Sequence, residues 1–187
     1  MQLFQDPIVI IDTETTGVYN HSEIIEIGAI CLDEWGQERS YFTAFIKPKE
    51  RNLQKILPAL LINHITPQDL EHAADLEAVR IKFVEWFRTL ESIASNIQCV
   101  AYNAPFDKRF LDKSEIYLPW GKCLLQQTNA IMKKHNYELR TDTGRKKSPS
   151  LQDACTFLHL PYPENAHRAL VDARVAGQVL CKIMAYI

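Results

Sequence analysis

The chain has 187 residues, of which 47% are hydrophobic and 24% charged, with a formal net charge of −2 at pH 7. This composition predicts one globular domain over residues 1–187 and excludes both wholesale disorder and a strong overall attraction to nucleic acid. No apolar run reaches the ~18 residues of a membrane span, the N-terminus lacks the basic start of a secretory signal, and the five cysteines form no CxxC pair. We therefore expect a reduced, cytoplasmic protein without a membrane partner.

The first part of the chain predicts three strands. The β-branched run Ile8–Ile11 is typical of a strand that is buried on both faces. Ile24–Leu32, interrupted only by Glu26 and Gly28, predicts a second strand, and the alternating segment Gln37–Ile46 predicts a third. We expect these three strands to form an antiparallel meander.

The remainder of the chain alternates predicted helices with two short strands. Apolar residues at spacings of three and four predict an amphipathic helix from Leu76 to Leu90. The other predicted elements are strands at Cys99–Tyr102 and near Lys122–Leu125, and helices from Pro105, over Thr128–His135, over Leu151–Leu158 and from near Arg168. This order indicates an α/β protein.

Two acids stand at the end of the first predicted strand, Asp12 and Glu14 in the segment DTETTG. Residues two apart in a strand share a face, so the two carboxylates should project together. Adjacent anions repel each other unless a cation lies between them, and Mg²⁺ or Mn²⁺ prefers such oxygen ligands. An isolated pair of this kind is more often a solvated turn, so it does not identify a metal site alone.

Two further acids and a histidine stand near predicted helix starts. Asp107 lies in the first turn after Pro105, and Asp172 lies one turn into the last helix. Either acid alone could serve to offset a helix dipole, but with the first pair they give four carboxylates, enough for two divalent ions. His167, just before the last helix, could accept a proton at neutral pH, although a surface histidine is the plainer interpretation.

The segments DTETTG, NAPFD and HRALVDA occur in this order between residues 8 and 184. They resemble the three motifs of the DEDDh (DnaQ-like) 3′–5′ exonuclease family, nearest to the proofreading-subunit type of DNA polymerase III. The resemblance implies a ribonuclease H-like fold: a mixed five-stranded sheet, its first three strands antiparallel, flanked by helices. It also implies hydrolysis of the terminal phosphodiester of DNA or RNA, with release of nucleoside 5′-monophosphates.

The same resemblance implies the roles of individual residues. Two Mg²⁺ or Mn²⁺ ions would be held by Asp12, Glu14, Asp107 and Asp172, with Glu14 and His167 as catalytic residues and His167 as the general base. The terminal nucleotide would contact the main chain of the turn after the first strand, and other side chains would pack on its bases or approach its sugar-phosphate. The implied substrate-binding residues are Thr15, Thr16, Gly17, Ile65, Asn103 and Phe106. His64 departs from the family, in which glycine is usual at that position.

The expected partner is a nucleic acid with a free 3′ end, in single-stranded form, and a polymerase or repair protein could be a further partner. Two alternatives stay open: an RNA-trimming or short-oligonucleotide exoribonuclease of the same family, and a non-catalytic module that binds nucleic-acid ends or a polymerase. A basic segment, 133–147, holds six Lys or Arg residues against Glu138 and Asp142. It is either a solvated loop or a surface that guides the substrate strand by phosphate contacts.

Overall fold

The computed structural model describes residues 1–50, 52–94 and 96–185. Within these residues, four strands and seven helices give the expected α/β arrangement. The strands are β1 (Ile8–Thr15), β2 (Ile24–Leu32), β3 (Glu38–Phe45) and β4 (Gln98–Val100). The helices are α1 (Leu53–Ile62), α2 (Pro67–Glu71), α3 (Leu76–Glu91), α4 (Ala104–Lys113), α5 (Leu124–Lys134), α6 (Leu151–Leu158) and α7 (Ala169–Met184).

The sheet is mixed, in the order β3-β2-β1-β4. β1 pairs antiparallel with β2, β2 pairs antiparallel with β3, and β4 lies parallel to β1. In the β1–β2 register, Asp12 lies opposite Gly28 and Glu14 lies opposite Glu26. The two acids at the end of β1 therefore face two residues that interrupt the otherwise apolar second strand.

The predicted fifth strand near Lys122–Leu125 is wrong, because the described sheet has four strands and this segment opens α5. Beside β4 the chain makes a single parallel bridge, Cys99 with Trp120. The preceding residue, Pro119, has no N–H to extend the ladder. At Leu124 the backbone N–H donates to the Ala101 carbonyl at 3.2 Å as the chain turns into the helix.

Two helices, α1 and α2, were not among the predicted elements. The apolar run within α1 contains Pro58, which normally ends a helix, but the helix continues through it. Thr66 and Asp69 form a reciprocal capping box at the start of α2. That Thr-Pro-Gln-Asp pattern is a recognisable helix start, so the sequence did contain a signal for α2.

Helices pack on both faces of the sheet. One hydrophobic cluster joins β1 and β2 to α5, α6 and α7, and a second joins the opposite face to α3 and α4. α7 approaches β2 so closely that a Cβ atom on Gly28 would lie 2.1 Å from the Leu170 nitrogen. Glycine at this position thus allows the start of α7 to cross the strand directly beside Asp12. Among the described residues, no helix combines the length and apolar character required to cross a membrane.

Candidate active site

Three of the four predicted acids converge at one end of the sheet. Asp12 and Glu14 come from β1, and Asp172 comes from the first turn of α7. Each offers a carboxylate oxygen, and these three oxygens lie within 4.8 Å of one another. The common face of β1 joins the first two, and the passage of α7 over Gly28 brings the third.

Asp107 lies beside this group but is held differently. Its side chain is 3% exposed, and its Oδ1 accepts hydrogen bonds from the Thr13 nitrogen at 3.0 Å and the Thr13 hydroxyl at 2.9 Å. The charge of Asp107 nevertheless helps to raise the pKa of Asp12. The structure therefore places the fourth acid next to the cluster, with one oxygen committed to β1.

Burial and mutual repulsion disfavour the charged forms of these acids. Burial, followed by the charges of neighbouring acids, raises the pKa of Glu14 from 4.5 to about 8. Burial raises the pKa of Asp107 to about 7, and it also raises the pKa values of Asp12 and Asp172. A divalent cation would offset this repulsion, and an all-oxygen donor set fits Mg²⁺ or Mn²⁺ better than zinc, which favours nitrogen and sulfur. The residues present thus fit the predicted metals.

His167 lies in the exposed loop just before α7, where the sequence placed it. Its backbone N–H approaches both carboxylate oxygens of Asp172, each at 3.3 Å. Its φ is 65°, and its ring lies 6.4 Å from that of His64, whose φ is 52°. A left-handed backbone at His64 explains why glycine suits that position. The imidazole of His167 is open to solvent next to the acid cluster, as a proton acceptor requires.

The turn after β1 is held by its own side chains and by Asn63 at the end of α1. The Thr15 hydroxyl donates to the Gly17 carbonyl at 2.7 Å, and the Asn63 side chain donates to the Thr15 carbonyl at 3.2 Å. The Thr16 hydroxyl accepts from the Glu23 nitrogen at 3.0 Å. These bonds fix the shape of the turn, and contact of the turn with a nucleotide stays a prediction.

The other three predicted substrate contacts fall in different surroundings. Asn103 is exposed at the start of α4, and its side chain makes no capping hydrogen bond there. Phe106 is half-buried, with its ring centroid 4.9 Å from that of Phe110 and 5.6 Å from the Arg109 guanidinium, and its stacking on a base stays a prediction. Ile65 is 3% exposed within the cluster that includes Ile56, and this burial argues against the predicted contact of Ile65 with a base.

The sequence interpretation missed two charged residues next to the acids. Glu26 of β2 is 2% exposed, and both of its carboxylate oxygens accept hydrogen bonds from Arg168, which directly follows His167. The signal was present, because a glutamate in an otherwise apolar strand needs a partner. Its charge contributes to the raised pKa values of Asp12, Glu14 and Asp172.

The basic segment 133–147 folds back on itself through an antiparallel bridge between Arg140 and Lys146. Both of these residues pair with Glu138, and Lys147 pairs with Asp153 at 3.0 Å. Among the described residues, its other three basic side chains form no ion pair: Lys133, Lys134 and Arg145. Three of the six basic side chains are therefore ion-paired within the fold, two of them to the same glutamate.

The chain resembles known nucleases in both sequence and structure. A family model described as Exonuclease, RNase_T, matches residues 9–180. The PolC-type DNA polymerase III of Thermotoga petrophila is 32% identical over 180 residues, and that of Clostridium perfringens is 31% identical over 182 residues. These matches cover 94% and 95% of this chain but only 12% and 11% of the two relatives.

Solved structures share the fold at lower identity. Cell-death related nuclease 4 (CRN-4) matches with a TM-score of 0.79 and 18% identity over 97% of this chain and 64% of that one. The nuclease domain of 3′hExo, a DEDDh family member solved bound to rAMP, matches with a TM-score of 0.73 and 16% identity, covering 100% of this chain and 95% of that one. E. coli Exonuclease I in complex with a dT13 oligonucleotide matches with a TM-score of 0.72 and 18% identity, over 93% of this chain and 40% of that one.

Proposed function

The chain belongs to the exonuclease family, and we propose that it is a DnaQ-like DEDDh member of it, a metal-dependent 3′–5′ exonuclease acting as one domain over residues 1–187. The observation that supports this proposal most is the convergence of Asp12, Glu14 and Asp172 within 4.8 Å, with His167 bonded to the last of them. The reaction would hydrolyse the terminal phosphodiester bond and release a nucleoside 5′-monophosphate.

Under this proposal, Asp12, Glu14 and Asp172 would hold one Mg²⁺ or Mn²⁺ ion, and Asp12 with Asp107 would hold a second. When bound, such ions lower the pKa of the attacking water and stabilise charge on the departing 3′ oxygen. The His167 imidazole accepts the proton of that water, because it is exposed beside the acids. Asp172 keeps the His167 backbone in place through the contacts to its N–H. The turn at 15–17 and one face of Phe106 bind the terminal nucleotide.

We propose DNA as the substrate, because the relatives at about 30% identity are named DNA polymerases. RNA is the second candidate, because 3′hExo, which has the same fold, was solved bound to a ribonucleotide. The three basic residues without ion pairs, Lys133, Lys134 and Arg145, would contact phosphates of the strand upstream of the 3′ end. A polymerase is a candidate partner, because the same relatives are DNA polymerases. The cytoplasmic location stays a prediction.

The test uses matched DNA and RNA oligonucleotides, each labelled at the 5′ end, with Mg²⁺ or with EDTA. A 3′–5′ exonuclease shortens them stepwise from a free 3′-hydroxyl end, and a 3′-blocked strand should resist. Asp12→Asn, which keeps the side-chain shape, should abolish the ladder of products. Binding of 3′ ends without any cleavage would instead support the non-catalytic module, and faster shortening of RNA would support the exoribonuclease.

A further inference from the structure

An ion pair between the buried Glu26 and the partly exposed Arg168 adjoins the acid cluster. The Arg168 guanidinium donates from Nε and Nη2 to the two carboxylate oxygens of Glu26, each at 3.1 Å. The same Glu26 carboxylate also accepts from the Ala169 nitrogen at 3.1 Å, at the start of α7. The Arg168 guanidinium lies 4.9 Å from the ring centre of Phe45. β2 and β3 thus hold the residue that follows His167 and the first residue of α7.

Overall stability does not explain this pair. Burial of the Glu26 carboxylate costs several kcal/mol, and well-packed apolar residues often serve as well in such a position. Glu26 also brings a fifth negative charge to a cluster that is already repulsive, since it faces Glu14 across the β1–β2 register. Because the Glu26–Arg168 pair carries these energetic costs next to the acid cluster, we expect its role to lie in the geometry of the site.

The segment held by the pair is the one that orients both His167 and Asp172. His167 has a left-handed backbone, a conformation that costs about 1–3 kcal/mol and persists only where neighbours hold it. The backbone N–H of His167 reaches the Asp172 carboxylate, so a shift of the loop moves both groups. Arg168 is the next residue, and its guanidinium is fixed by two parallel hydrogen bonds.

We propose that Glu26 and Arg168 are positioning residues that fix the His167 backbone and the first turn of α7, and thereby set both the metal affinity of the acid cluster and the rate of the chemical step. Neither residue touches the reacting atoms. The part about the chemical step rests on the proposed exonuclease function, whereas the part about metal affinity does not.

The chain supplies a matched control pair on the same helix. Arg174 of α7 donates from Nε and Nη2 to the carboxylate of Glu38 on β3, at 2.9 and 2.8 Å. Its guanidinium also lies over an aromatic ring, that of Tyr41, at 5.4 Å. This second pair likewise joins α7 to the sheet, but it is more exposed and lies beyond Asp172 in the helix. It reproduces the chemistry of the first pair without contact to the His167 loop.

The experiment compares two double variants, Glu26→Gln/Arg168→Met and Glu38→Gln/Arg174→Met. Each keeps the net charge and the approximate side-chain shape, so neither leaves an uncompensated charge, and electrostatics alone predicts unchanged metal affinity. We expect the first variant to bind Mn²⁺ about 10–100-fold more weakly in calorimetric titration and to lose kcat by a similar factor, with KM within about twofold. The second should differ from wild type by less than about twofold in all three quantities. Equal behaviour of the two variants would overturn the proposal.

A further single variant separates positioning from charge. Removal of the positive charge in Arg168→Gln should strengthen Mn²⁺ binding if only electrostatics matters, whereas loss of positioning should weaken it, and tighter binding would overturn the proposal. If the first double variant does not fold, as judged by its thermal transition, Arg168→Lys replaces it. Lysine cannot make the two parallel bonds, so we expect Mn²⁺ affinity to fall at least about threefold, and an unchanged affinity would count against the proposal. If the wild type binds Mn²⁺ but cleaves no nucleic acid, the proposed function fails while the Mn²⁺ comparison still decides this inference.

Discussion

The raised pKa values of the acid cluster predict an unusual stability profile for the metal-free protein. Between pH 4.5 and about 8, folded Glu14 keeps a proton that the unfolded chain has already released. The folded state then binds more protons than the unfolded state, so the free energy of unfolding falls as pH rises through this window. Replacement of Glu14 by the uncharged Gln should remove its share of that fall.

The size of this effect follows from the shift. One group in this window contributes about 1.4 kcal/mol per pH unit, so Glu14 accounts for a loss of up to about 4 kcal/mol between pH 5 and pH 8. A change of 1 kcal/mol moves Tm by roughly 2–4 °C in a chain of this length. In EDTA, the Tm of the wild type should therefore fall on the order of 10 °C more than the Tm of Glu14→Gln between pH 5 and pH 8. Divalent metal should restore the wild type near pH 8 and have little effect on the variant.

The assay is thermal and chemical unfolding in EDTA near pH 5 and near pH 8, repeated with Mn²⁺. Glu38→Gln is the control, because it removes a carboxylate from an exposed ion pair outside the cluster. If the free energy of unfolding changes equally with pH in wild type and Glu14→Gln, the reasoning is refuted, since Glu14 would then titrate alike in the folded and unfolded states. Equal stabilisation of both proteins by Mn²⁺ would show that Glu14 does not contribute to a metal site.

Three further perturbations test separate parts of the site. His167→Asn should lower kcat by ~10²–10⁴ in steady-state assays while Mn²⁺ affinity stays within about twofold, and an unchanged kcat would exclude a general base at this position. Gly28→Ala should destabilise the protein by about 1–3 kcal/mol in chemical unfolding, because its Cβ would lie 2.1 Å from a backbone nitrogen of α7. The triple change Lys133→Ala/Lys134→Ala/Arg145→Ala should raise KM for oligonucleotides and reduce the salt slope of binding by about 2. It should not affect hydrolysis of a small thymidine-monophosphate ester. An unchanged oligonucleotide KM would mean that segment 133–147 is a solvated loop without a role in substrate binding.

The sequence predicted the acid cluster well because its members obey local rules. Asp12 and Glu14 share a face through the two-residue period of a strand, and Asp172 occupies the first turn of a helix whose apolar stripe is clear. The antiparallel pairing of β1 with β2 and of β2 with β3 was predicted from two nearly continuous apolar runs and one alternating segment that follow one another in the chain. Local patterns suffice to place each acid on its element, whereas the approach of Asp172 to Asp12 depends on the packing of α7 over Gly28.

The errors arose where long-range packing decides the outcome. The segment near Leu124 has the composition of a strand, but its backbone N–H finds a partner on Ala101 and the chain enters a helix. The packing of Ile65 against residues of α1 and α2 was likewise not predicted, because the sequence interpretation did not include these helices, and its contact with a base stays a prediction. The Glu26–Arg168 pair joins residues 142 positions apart, and no local pattern links them.

The β1–β2 register connects these observations, because it places the residues that hold α7 on the strand next to the two acids of β1. Opposite Asp12 lies Gly28, which receives the backbone of α7, and opposite Glu14 lies Glu26, which binds Arg168 and the Ala169 nitrogen. A one-residue slip of β2 would turn Glu26 to the other face of the sheet and put a side chain where α7 must pass. The third carboxylate therefore reaches the first two through the packing of α7 on β2, and the Glu-Ile-Gly segment of that strand supports this arrangement.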